Sequence, residues 1–161
     1  MSDLALVRAL HVLGVVLWIG GVAFVTLALL PGLRDLRAQS TDGMAPPSIF
    51  DALERRFAQQ ARWTTQLTGL TGLYMLWRLD LWARFADPAY WWMHAMVAVW
   101  ALFTLMLFVI EPLVLRRRAK LPAQTDERAE LRRMLLLHRV MLAVSLATVL
   151  GAVAGSHGWV F

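Results

Sequence analysis

The sequence predicts an all-α integral membrane protein, a four-helix bundle with both termini on the outer side of the bilayer. Three observations predict it. The 161 residues are 59% apolar and only 17% charged, where soluble domains average about 25% charged. The charges are segregated: residues 9–33, 63–77, 88–110 and 140–161 contain no Asp, Glu, Lys or Arg. The basic residues are also segregated, with thirteen of the sixteen Lys and Arg in residues 31–62 and 112–139.

A helix needs about 20 apolar residues to cross a hydrocarbon core roughly 30 Å thick. The first, third and fourth runs meet that length. The second is short, and spans if its flanking Arg62 and Arg78 snorkel. A soluble bundle would place a polar residue at every third or fourth position, and these runs do not. The chain has room for one domain.

Helix one is expected over about 4–30, ending near Pro31-Gly32. Its apolar run is too long for a signal peptide and lacks a small-x-small cleavage site after it, so it is expected to stay as a span. Residues 39–47 (QSTDGMAPP) are rich in turn formers. Ser48 is a natural N-cap for an amphipathic lead-in over about 48–60. There Ile49, Leu53 and Phe57 recur on one face, and Asp51, Glu54, Arg55 and Gln59 fill the other. That lead-in is expected to lie at the cytoplasmic surface.

Helix two, about 61–79, is the least apolar span. Its Thr64, Thr65, Thr68, Gly69, Thr71 and Gly72 are the small and hydroxyl residues that let membrane helices approach closely. Helix three is expected over about 89–115, with Pro112 kinking its cytoplasmic end. RRRAK at 116–120 and Pro122 mark a loop, and helix four follows over about 131–158. With four crossings, the two basic regions share a side, which the positive-inside rule assigns to the cytoplasm. Trp77, Trp82, Tyr90, Trp91, Trp92 and Trp159 then gather at the outer interface, where amphipathic rings sit. The basic stretches read as topology signals in contact with water and lipid rather than as a nucleic-acid surface. The expected location is a bacterial inner (cytoplasmic) membrane.

The absence of cysteine excludes disulfides, thiolate metal sites, iron–sulfur clusters and covalent c-type haem. The chemistry left is that of histidine, the commonest metal ligand near neutral pH. His11, His94 and His157 lie on three different helices at one outer depth. An ionisable residue inside a span is costly, so its default reading is functional. Gly14, Trp18 and Gly21 share a helix face with His11, and Gly151 and Gly155 lead toward His157. Such glycines make room for a planar ligand, or serve plain helix packing. Arg8, one turn outward from His11, is placed to pair with a haem propionate. Met93 and Met96 flank His94 and offer thioether sulfur, which suits Cu(I). His138 lies on the cytoplasmic side at a depth where it could pair with Glu111. Each histidine also has a plainer reading, as a polar anchor at a helix end.

Three stretches carry a resemblance. RALHVLGVVLWIGGVAF (8–24) resembles the first helix of the copper-resistance D (CopD) membrane domain and of the related HemJ-type protoporphyrinogen oxidases. RRFAQQARWTTQLTGLTGLY (55–74) is similar to their entry into helix two. WMHAM (92–96) resembles a Trp-x-His-x-Lys stretch of the HemJ type, with Met96 where that type has lysine. The HemJ resemblance implies b-type haem in a four-helix bundle with electrons passed to quinone. It makes His11 the helix-one ligand and His94 the helix-three histidine, while Met96 argues against protoporphyrinogen oxidation. The CopD resemblance implies copper handling.

Three functions are therefore expected in competition. The first is a haem b redox protein with bis-histidine ligation, His11 with His94 or His157, Arg8, Gly14 and Trp18 lining the site, and quinone as partner. Such ligation leaves iron no open position, which points to electron transfer. The second is copper binding or transport through the same histidines. The third is a silent accessory subunit among other membrane subunits.

Overall fold

The computed structural model describes residues 2–39, 47–113 and 127–159. The expected turns at 40–46, the basic segment 116–120 and Pro122 lie outside the described residues. So do the side chains of Ser48, Ile49, Asp51 and Glu54.

The described chain is all-α. Helix α1 (Ser2–Phe24) leads through one π turn (Val25–Leu29) into α2 (Leu30–Gln39). Helicity does not stop at Pro31-Gly32. A proline lacks an N–H and its ring collides with the carbonyl four residues back. The π turn meets that conflict, because the wider winding carries the Leu30 N–H to the Val25 carbonyl and loosens the helix just ahead of the ring. The same device recurs further on. Helix α4 (Trp91–Leu105) passes into a π turn at Met106–Ile110 just before Pro112, with the Glu111 N–H on the Met106 carbonyl.

Helix α3 (Pro47–Arg78) is 32 residues long and unbroken, about 48 Å at 1.5 Å per residue. The expected lead-in and the expected helix two are thus one continuous helix. Phe57 of the lead-in stacks on Phe24 of α1, ring centroids 5.3 Å apart. That apolar contact keeps the segment beside α1. Pro47 sits at the first helical position, where its missing N–H costs nothing, and Ser48 follows inside the first turn.

Helix α3 ends in a Schellman motif. Asp80 takes a left-handed φ of 49°, and the Leu81 N–H reaches back to the Leu76 carbonyl at 3.1 Å. Two short 3-10 turns (Trp82–Ala86 and Pro88–Tyr90) follow, the second capped by the Asp87 carboxylate on the Ala89 N–H. Helix α5 (Glu127–Ser156) closes the same way as α3, with Gly158 at φ 88° and the Trp159 N–H on the Ala154 carbonyl.

The helices pack in sequence order, α1 on α3, α3 on α4, α4 on α5, and α5 back on α1. Three stretches, Asp3–Asp35, Pro88–Leu113 and Arg132–Ser156, are long and apolar enough to cross a membrane. The outward surface of these stretches and of α3 is apolar: Leu27, Leu70 and Leu150 are each about two-thirds exposed. The interior is comparatively polar. Thr26, Thr64, Thr65, Thr68, Thr71, Ser145 and Thr148 are buried, beside an apolar cluster of Trp18, Ile19, Val99, Phe103, Met141 and Leu142. A helical protein that buries hydroxyls and exposes leucines is suited to lipid rather than water.

Candidate functional site

His11 is the residue with the most built surroundings. Its α1 face meets the threonine face of α3. The Nδ1–H donates to the Thr68 carbonyl at 3.0 Å, with the Thr71 hydroxyl oxygen at 3.1 Å. A carbonyl can only accept, so the proton belongs on Nδ1 and the lone pair on Nε2. The ring lies over Gly72, where an added Cβ would stand 3.3 Å from Cε1. One turn along, Gly14 lets the helices close further: a Cβ there would meet the Thr68 hydroxyl at 2.6 Å. Gly14 is therefore a packing glycine against α3.

Trp18, on the same face one turn deeper than Gly14, is 4% exposed and stands edge-on to Phe103, centroids 4.9 Å apart. It belongs to the apolar core. Arg8 is exposed and lines an open hollow of about 580 Å³ with Ala5, Ala9, Val12, Leu13 and Val16, all of α1. That hollow lies on the outward face, whereas His11 turns to α3. Gln60 of α3 reaches the Leu17 carbonyl at 3.4 Å and approaches Gly21, completing the α1–α3 contact.

The other histidines stand apart from this contact. His94 is exposed at the start of α4, edge-on to Phe85 at 5.2 Å between centroids. His157 is exposed at the end of α5, its Nδ1–H on the Val153 carbonyl at 2.8 Å. There it satisfies a carbonyl of the last turn, as basic residues at helix C-termini do. Among the described residues no three of His, Asp and Glu gather closely enough to hold a metal ion. Met93 is buried at 7% exposure and Met96 is half-buried. His138 turns its Nδ1–H onto the Met134 carbonyl of its own helix at 2.9 Å. Glu111 takes Arg62 of α3 as its partner instead, at 3.0 Å, because a cation on the facing helix offers full charge where His138 offers a ring already bonded.

The glycines of α5 hold protein rather than a ligand. A Cβ at Gly151 would strike the Trp91 ring, and one at Gly155 would lie 2.5 Å from Trp92 ring atoms. Gly69 of α3 likewise admits Trp100, whose Nε1–H donates to the Thr65 carbonyl at 3.0 Å. Each glycine–tryptophan pair seats an indole ring against the facing helix, with Trp92 buried at 6% exposure and Trp91 still 44% exposed. Sequence reading missed these pairs, although eight tryptophans and ten glycines in one short chain were the available signal.

These positions bear on haem in two ways. The donor chemistry at His11 fits a metal ligand, since its Nδ1–H is anchored to a carbonyl and the ring's lone pair is on Nε2. The α4–α5 clefts at Gly151 and Gly155 do not fit a planar group, since indole rings fill them. No family model matches this chain, and searches of curated proteins and of solved structures give no significant match.

Proposed function

We propose that the chain crosses the bilayer four times with both termini outside, and that its outer half is a redox centre holding haem b. His11 would hold the haem iron, with His94 or His157 as the second histidine. The observation that carries this reading is the anchored imidazole of His11. Thr68 and Thr71 fix its tautomer and ring plane, which is how ligand histidines are held before a metal arrives. When bound, haem b supplies one-electron transfer, and quinone in the surrounding lipid is the partner of matching chemistry. The chain's own part is to orient the imidazole, close α1 on α3 through Gly14 and Gly72, and shed water from the outer half through Trp91 and Trp92.

The test is the absorption spectrum of protein purified from cells supplied with haem. A Soret band is expected for the wild type, lost in His11→Ala and retained in His138→Ala. A wild type without the band overturns the reading. Filled glycine clefts favour a second reading, an accessory subunit that acts by packing against other membrane proteins. In that case His11→Ala and His94→Ala leave assembly and activity of the parent complex intact. Copper remains the alternative cargo of the same histidines, supported by half-buried Met96 two residues from His94. Metal analysis of the purified protein, and copper tolerance of a strain lacking it, separate copper from haem.

A further inference from the structure

We propose that α1, α3 and α4 bind a water molecule in the protein interior, held by Trp18, Thr65 and Thr104. Most buried hydroxyls here satisfy themselves. Thr26, Thr64, Thr68, Thr71, Ser145 and Thr148 each donate to the carbonyl one turn back on their own helix, at 2.6–2.9 Å. Thr65 and Thr104 do not. Their hydroxyl oxygens are shielded from solvent without a hydrogen-bond partner, and so is the indole nitrogen of Trp18. Thr65 is 0% exposed and Trp18 4%. Buried polar groups almost always find a partner, and a lipid-facing protein has no bulk water to fall back on.

The three groups come from three helices, and contacts beside each group join those helices. Trp18 stands edge-on to Phe103, the residue before Thr104. Trp100, one turn before Thr104 on α4, donates to the Thr65 carbonyl. Helices α1 and α3 meet a turn away, where Gly14 abuts Thr64 and Thr68.

The donor set selects the ligand. An indole N–H only donates, while each threonine can donate or accept. A water that accepts from Trp18 and bonds both threonines makes three hydrogen bonds, the usual number for a buried water. No charged side chain takes part, so an ion would lose its hydration without a counter-charge. The site is independent of the haem reading, since none of its three atoms belongs to a histidine.

Two measurements test it. In lipid bilayers, magnetisation transferred from water protons should reach the Trp18 indole N–H and at least one of the two threonine side chains in solid-state spectra. Any lesser pattern overturns the site. In detergent, Thr65→Val and Thr104→Val should each lower the unfolding midpoint by about 2–4 °C, and the double variant by less than the sum, because both lose one shared water. Removing a hydroxyl that has no partner would instead leave the midpoint unchanged or raise it. A rise, no change, or additive losses would overturn the proposal.

Discussion

Glycine and tryptophan set the close contacts at the residue scale. Gly69 is the sharpest case. A Cβ there would enter the Trp100 indole, lying 2.5 Å from Cε2 and 2.8 Å from Cζ2, and the ring cannot retreat without releasing the Thr65 carbonyl. Gly69→Ala is expected to cost about 1–3 kcal/mol by overpacking, read as a lower unfolding midpoint in detergent. Gly20 makes the opposite case, with open space around its Cα. Gly20→Ala is expected to add roughly 0.5–1 kcal/mol, since alanine loses less conformational freedom in a helix. If the two substitutions moved the midpoint in the same direction, the assignment of Gly69 to ring packing would be wrong. His11 was visible in the sequence as an ionisable residue within a charge-free run. Its partners were not, because Thr68 and Thr71 lie 57 and 60 residues away and no local pattern links them.

At the scale of elements, helix ends and proline turns decide the shape. Asp80 ends α3 in a left-handed conformation that glycine adopts without penalty. Asp80→Gly is expected to stabilise the protein by about 1 kcal/mol, measured as a higher midpoint with unchanged helix content by circular dichroism. The two π turns explain why helix boundaries read from prolines fell short. Proline at position 31 suggested a stop, yet the wider turn before it keeps the chain helical to Gln39. Proline before a loop and proline after a π turn look alike in sequence. Which one occurs depends on whether the next turns find a helix to pack against, and here α2 packs on α5. The amphipathic lead-in was also legible as a helix. Its continuity with the rest of α3 was not, because the neighbour that Phe57 meets, Phe24 of α1, lies on a distant segment.

For the whole molecule, the Arg62–Glu111 pair ties α3 to the end of the Pro88–Leu113 stretch at 3.0 Å, with both side chains about one-third exposed. Such a partly solvated bridge contributes only about 1 kcal/mol. Arg62→Ala and Glu111→Ala should each show a loss of that order, and the double variant less than the sum of the two. Additive losses would mean the ions act separately. The proposed four crossings carry a further prediction. A reporter active only outside the cytoplasm, fused after Phe161, should be active, and the same reporter inserted between residues 40 and 46 should be silent. The reverse result would invert the orientation.

The sequence alone determined that this is an all-helical chain with membrane-length apolar segments, because a charge-free run of about 20 residues has no stable place in water. It also singled out His11, because an imidazole within such a run needs a partner. Tertiary structure alone decided what the small residues are for. Gly14, Gly72, Gly151 and Gly155 admit Thr68, the His11 ring, Trp91 and Trp92, so the room they provide is taken by the protein. A glycine records only that something approaches closely. What approaches is set by the facing helix, and pairing of faces between distant segments is decided by packing across the bundle rather than by any spacing within one helix.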